Sequence, residues 1–291
     1  WLEENIPMDK ALLIKWLRAG YIEGKTLHST FDGVPQGAVC SPCILVLALS
    51  GLEAAVKSVT SQKDKVNLIS YADDFVITGA SKEALENKVM PVVVAFLKER
   101  GLELSESKTK ITCIDDGFDF LGFNVRKYKG KLLIKPSKKN VKSFLDTIRK
   151  FIKSNATTAT ENLITQLNPK MRGWANYFCH VVAKEIFSYV DHSIIQTILR
   201  WAKRRHPNKS AGWIRKKYFR SQGLQNWIFS TPIVNEKGES ISLDLFSMAS
   251  IPIRRHVKIR AEATPYDPLF TEYFLRRATR PKRKTKERDS K

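Results

Sequence analysis

Two acids, Asp73 and Asp74, stand side by side in Tyr71-Ala72-Asp73-Asp74, between short apolar runs at 66–71 and 75–78. Runs so short, separated so briefly, predict a tight β-hairpin with the acids at its tip. Adjacent like charges repel, and such turns ordinarily set Asp beside Gly or Asn. A divalent cation at the tip resolves the conflict, because the ion inverts the local electrostatics. Mg2+ takes one or two carboxylates and completes its shell with substrate phosphates. Two such ions about 3.5–4 Å apart activate an attacking oxygen and stabilise a departing one. Successive strand side chains point to opposite faces, so one acid is expected as principal ligand and the other as secondary. The bare x-x-Asp-Asp pattern is common, and its weight comes from what surrounds it.

The elements around the hairpin follow from periodicity and punctuation. Residues 2–16 read as a short helix with Leu12, Leu13 and Trp16 inward. Ser41-Pro42 opens another, with Ser as N-cap and Leu45, Ala48, Leu49, Leu52 and Val56 along one face. Ser81 caps a helix carrying Leu85, Val89, Val92, Val93 and Phe96, which Gly101 stops. Residues 102–104, 109–113 and 118–125 read as further strands. Helices on a small, mostly antiparallel sheet make an α+β architecture. From Lys127 the pattern turns helical. Val141, Phe144, Leu145, Ile148, Phe151 and Ile152 lie on one face, a second helix is expected from near Pro169, and a third over about 182–202. Three amphipathic helices in succession predict a bundle. Beyond Pro207 the sequence reads as irregular, and 280–291 as a disordered tail.

Further motifs flank the acids in order: Gly33-Val34-Pro35-Gln36-Gly37 upstream, then Gly101-Leu102-Glu103-Leu104, Lys108-Thr109-Lys110 and Phe120-Leu121-Gly122-Phe123 downstream. The set resembles the palm motifs of reverse transcriptases, above all those encoded by group II introns, the reverse transcriptase/maturases. Arg172-Gly173-Trp174-Ala175-Asn176-Tyr177 within the helical segment resembles that family's thumb, or maturase, domain. The likeness spans nearly the whole chain. It implies a polymerase palm at 1–125, a helical thumb/maturase bundle at 126–240, and a basic DNA-binding-like segment with its tail at 241–291.

The resemblance also implies roles. Asp73 and Asp74 would hold two Mg2+ ions; Pro35, Gln36 and Gly37 would pack against nucleotide and template, with Tyr71 near the primer end. Lys108 would lie near the triphosphate, and Leu121, Gly122 and Phe123 would begin the primer grip. Gly37 allows close backbone approach and Gln36 offers an amide, as such contacts require. The family has a further catalytic Asp in a first palm motif, and this chain shows no counterpart. That motif and the fingers are expected ahead of Trp1, so polymerisation by this stretch alone is not expected. A Cys-rich H-N-H nuclease, carried by some relatives, is not expected either, since no Cys follows Cys179.

The net charge of +21 is unevenly spread. Residues 1–125 carry 13 Lys/Arg against 17 Asp/Glu, and residues 126–291 carry 37 against 12. A field that basic implies a polyanionic partner, since phosphate contacts release counterions. Arg204 and Arg205 beside Trp201, and Arg215, Lys216, Lys217 and Arg220 around Trp213 and Tyr218, interleave rings with cations as structured RNA requires. Arg172 joins them as a candidate nucleic-acid contact, and Arg254 and Arg255 are candidates for contacting DNA. Trp174, Phe178 and Trp201 are assigned to packing, and His180 to the bundle rather than to a metal.

Cys40-Ser-Pro-Cys43 has no second Cys/His pair at a zinc spacing, so both thiols read as small apolar fillers. No unbroken apolar run of roughly 18 residues appears, so no membrane span is expected. The chain begins with Trp1, and a missing N-terminus is expected; no targeting signal is visible, and a bacterial cytoplasm or an organelle is the expected compartment. The expected partners are intron RNA, an RNA template with DNA primer, dNTPs and target DNA, with a second copy of the chain, as a homodimer, as a further candidate. Two rivals stand beside this reading. One is an RNA-binding splicing factor without polymerase activity. The other is a different bacterial reverse transcriptase, diversity-generating or CRISPR-associated.

Overall fold

A computed structural model describes residues 1–30, 38–223, 225–234, 238–260 and 262–279. Helices and small antiparallel sheets together make an α+β chain of two compact units. The first comprises 1–120 with 126–130, and the second 121–125 with 131–291.

In the first unit, the helix expected over 2–16 is two helices, α1 (Leu2–Asn5) and α2 (Lys10–Leu17). Ile6, ahead of Pro7, is extended, as steric conflict with a proline ring demands. Asp9 then restarts the helix by accepting from the Leu12 N–H at 2.8 Å. Leu13 is buried, whereas Leu12 and Trp16 remain exposed. A short hairpin follows, β1 (Tyr21–Glu23) with β2 (Thr26–His28).

Helix α3 (Ser41–Leu49) begins one residue before expectation, with Cys40 at the cap position. It breaks at Ser50-Gly51, where Gly51 takes φ +90°, and continues as α4 (Leu52–Ser58). Ile44, Ala48, Leu52 and Val56 are buried at four-residue spacing. By length and composition alone, 41–58 is apolar enough to cross a membrane. The Ser50-Gly51 break and the exposed Glu53–Lys57 ion pair are instead features of a helix pair with one buried face.

The hairpin strands are β3 (Asn67–Tyr71) and β4 (Asp74–Thr78). Ser81 accepts from the Ala84 N–H and opens α5 (Lys82–Ala84), which runs through a π-turn (Leu85–Val89) into α6 (Met90–Glu99). Gly101, at φ +68°, ends it. Leu68, Phe75 and Ile77 from the hairpin pack on a core of Leu52, Val56, Val89, Val93, Phe96 and Leu97.

Residues 102–104 and 109–113 are not strands. Leu102 and Leu104 are pinned into that core by their side chains, and the chain then turns at 105–109 through Ser105 carbonyl bonds to the Lys108 and Thr109 N–H groups. Strands β5 (Phe118–Phe120), β6 (Phe123–Tyr128) and β7 (Lys131–Pro136) follow, and the division between units falls among them.

The second unit is built on α7 (Lys138–Ser154), α8 (Thr160–Phe178) and α9 (Lys184–Arg205). Helix α8 starts nine residues before the expected Pro169, which lies inside it. An interior proline costs about 3 kcal/mol. Leu163, Ile164, Leu167, Met171, Ala175 and Phe178, all buried along one face, outweigh that penalty.

Residues beyond Pro207 are more regular than expected. Helix α10 (Ala211–Tyr218) leads into β8 (Phe219–Gln222), β9 (Gln225–Val234) and β10 (Ser240–Asp244), an antiparallel sheet of order β10-β9-β8. Phe229, opposite Phe219, is fully buried against Trp201 and Tyr218. Leu245 and Met248 join the same core. A last helix, α11 (Thr271–Ala278), buries no residue. The tail expected to be disordered, 280–291, lies outside the described residues.

Candidate functional site

The hairpin tip follows directly from its register. Tyr71 pairs with Asp74, leaving Ala72 and Asp73 as a two-residue turn. Ala72 has φ +52°, the left-handed region that a first turn position of this kind demands and that glycine usually fills. Alternation sends Leu68, Phe75 and Ile77 into the core. Ile69, Tyr71, Asp74 and Val76 therefore share the opposite face, where Ile69 and Tyr71 are exposed. Both carboxylates are exposed too.

The base of the hairpin is held by a group the sequence reading passed over. Asp64 caps the turn before β3 by accepting from the Ser61 N–H and hydroxyl, and it pairs with Lys88 of the π-turn at 3.0 Å. Its own carbonyl accepts from the Ala80 N–H just beyond β4. The Ser61 N–H, then Lys88 and the Ser61 hydroxyl, hold this carboxyl down at about 2. The Ser-x-x-Asp spacing at 61–64 was a readable capping signal.

Asp73 and Asp74 offer hard oxygen donors on a short, packed support, which fits Mg2+. Among the described residues no group of three His, Cys, Asp or Glu could hold a metal. Lys108 lies exposed on the 105–109 turn, and no ion pair joins it to either acid. Pro35, Gln36 and Gly37 lie outside the described residues. All four cysteines are free; Cys40 is half-buried and Cys43 exposed, so Cys43 is not the core filler expected.

Leu121 and Gly122 form a second tight turn, with φ +49° and +79°. Phe123 follows, its ring stacked on Tyr177 at 5.1 Å, edge-on to Phe178 at 5.0 Å, and tilted against His180 at 5.5 Å. His180 is thus a ring partner in the bundle. Trp174, Phe178 and Trp201 all contribute to packing, and the indole N–H groups of Trp174 and Trp201 donate to Asn140 and to the Asn155 carbonyl.

The basic candidates divide by what already engages them. Arg220 makes a two-pronged ion pair with Asp244, and this hydrogen bonding holds the Asp244 carboxyl below its usual range. Arg172 lies over the Phe246 ring at 4.6 Å, and Arg205 donates to the Thr158 carbonyl. Arg215 covers Trp227 at 4.7 Å, and Lys217 covers Trp213 at 4.8 Å. These ring and carbonyl contacts leave the outer sides of Arg172, Arg205, Arg215 and Lys217 open, as these four remain exposed, whereas Arg220 is half-buried. Lys216, Arg204, Arg254 and Arg255 are exposed as well. Lys216, Lys217 and Arg220 line a shallow open groove with Ser230, Ser240 and Ser242.

Residues 3–125 match the reverse transcriptase (RNA-dependent DNA polymerase) family, and residues 141–219 match the group II intron maturase-specific domain. Protein YkfC of Escherichia coli is 32% identical over 143 residues, covering 38% of this chain and 37% of that protein. Group II intron-encoded protein LtrA of Lactococcus lactis is 24% identical over 279 residues, covering 64% of this chain and 47% of that protein. The chain thus spans less than half the length of these relatives. A match to the reverse transcriptase family followed by a match to the group II intron maturase-specific domain on one polypeptide, together with the likeness to LtrA, supports a group II intron reverse transcriptase/maturase.

Proposed function

We propose that this chain is the palm and thumb part of an RNA-directed DNA polymerase that also acts as the maturase of a group II intron. One observation carries the reading: a packed hairpin exposes two adjacent carboxylates, Asp73 and Asp74, in a domain of the reverse transcriptase family. Residues 1–125 would form the palm, 126–240 the thumb/maturase domain, and 241–291 a basic segment facing DNA.

Asp73 and Asp74 would hold Mg2+, with further ligands from substrate and from residues other than those described. Bound there, Mg2+ would supply activation of the primer 3′-oxygen and stabilisation of the leaving pyrophosphate. The protein's own contribution is rigidity. Asp64 and the apolar face of β3 and β4 keep the acids from retreating, so the bound geometry costs little reorganisation. Tyr71, on Asp74's face, is suited to lie against the primer terminus, and Lys108 to meet the triphosphate. Exposed cations on α9 and α10, with Arg254 and Arg255, would neutralise intron RNA and target-DNA phosphates.

The test is Asp73→Ala in the full-length protein. Primer extension should be lost while intron RNA binding stays within about twofold. Undiminished synthesis would refute the site. A parent protein that binds the intron and never extends a primer would instead favour a splicing factor without polymerase activity.

A further inference from the structure

The Leu121-Gly122 turn is held by one side-chain hydrogen bond and one backbone hydrogen bond from elsewhere in the second unit. The Leu121 carbonyl accepts from the Tyr177 hydroxyl at 2.9 Å, and the Gly122 carbonyl accepts from the Ser137 N–H at 2.8 Å. A Cβ at position 122 would lie 2.9 Å from the Asn140 side-chain nitrogen. Asn140 cannot easily retreat, because its Oδ1 accepts from the Trp174 indole N–H at 2.8 Å and its backbone N–H donates to the Ser137 hydroxyl. Phe123 leaves the turn with its ring against Tyr177.

Trp174 and Tyr177 are three residues apart on the last turns of α8, so they share one face of the helix. That face delivers an indole to Asn140 and a phenol to Leu121. Tyr177 is 48% exposed, and its long reach to a backbone carbonyl is therefore not a by-product of burial.

We propose that Tyr177 is a positioning residue for the primer grip. Its hydroxyl ties the Leu121 carbonyl to α8, so the backbone meant to support the primer end is held at one height by the bundle. The inference rests on the reverse transcriptase reading above. A phenol suits this task because it stacks on Phe123 while spending its polar end on one acceptor. When the tie is missing, two left-handed residues in succession are held only by Ser137 and the glycine contact, and the turn gains freedom where small displacements slow chemistry.

The experiment is Tyr177→Phe in the full-length protein, which keeps the ring and removes one oxygen. Expected are a three- to tenfold fall in kcat for primer extension, matching loss of one hydrogen bond, and an unchanged KM for dNTP. Discrimination between matched and mismatched primer ends should narrow, while intron RNA binding and Tm stay at parent values. A variant with parental kcat and parental discrimination overturns the proposal. A fall in Tm of more than about 5 °C also overturns it, since the hydroxyl would then support the fold generally. If the parent protein extends no primer, the polymerase reading itself fails, an outcome separate from both.

Discussion

Tyr71 and Asp74 face each other directly across the hairpin, with Ala72 and Asp73 alone between them. The pairing puts an aromatic ring and a carboxylate on the same exposed face and leaves Asp73 in the turn. One acid is therefore part of a paired strand and the other is not, a difference that strand alternation alone had described only as opposite faces.

Ala72 is the strained point of that turn. Its left-handed φ costs an L-residue about 1–2 kcal/mol, more when the side chain is β-branched. Ala72→Val should destabilise the protein by at least that amount in urea denaturation. Ala72→Gly should stay within about 1 kcal/mol of the parent, since relief of strain offsets added freedom in the unfolded chain. Equal effects of the two substitutions would argue against this turn geometry.

Asp64 predicts a pH dependence. Its folded pKa of about 2 lies below its ordinary value of 3.8, so its contribution is complete above 3.8 and disappears as pH falls toward 2. Asp64→Ala should lower Tm at pH 6, and the gap to the parent should close as the pH drops from about 4 toward 2. A gap independent of pH between 6 and 3 would exclude this carboxylate as its source.

The basic surface predicts a division of effect. Lys216→Gln with Lys217→Gln should flatten the salt dependence of RNA binding by about one to two units of log–log slope and leave the fold alone. Arg220→Gln should act mainly on stability, because it leaves the half-buried Asp244 without its partner. Thermal melts beside salt-titrated binding curves separate the two. Reversal of the pattern would make Arg220 the nucleic-acid contact and the lysines bystanders.

A clamp on α9 predicts local opening. Asp191 accepts from the Ser247 hydroxyl and from the Met248 and Ala249 N–H groups. Lys184 donates to the Ala249 and Ile251 carbonyls, both at 2.6 Å. Together they bind both polarities of one short backbone stretch. Asp191→Ala should speed hydrogen exchange at 248–251 at least about fivefold, the change expected when about 1–3 kcal/mol of hydrogen bonding is removed. Unchanged protection there would mean that core packing by Met248 suffices.

The local signals in this sequence were sufficient for much of the chain. Two apolar runs around Asp73-Asp74 specify a hairpin, and spacing at 141–152 specifies the face of α7, because both depend on neighbours within a turn or a strand. The acids, the Leu121-Gly122-Phe123 motif and the change to a basic half could all be read without coordinates. What the tertiary structure decided depends on partners far along the chain. Pro169 lies inside a helix because six buried side chains outweigh one lost hydrogen bond. Residues 102–104 forgo a strand because Leu102 and Leu104 are drawn into a core. Strands β8, β9 and β10 form a sheet around Phe229. Arg220 meets Asp244 across 24 residues, and Tyr177 meets Leu121 across 56. Periodicity reports which face of an element is apolar; only the folded chain decides which distant group satisfies each charge and each carbonyl.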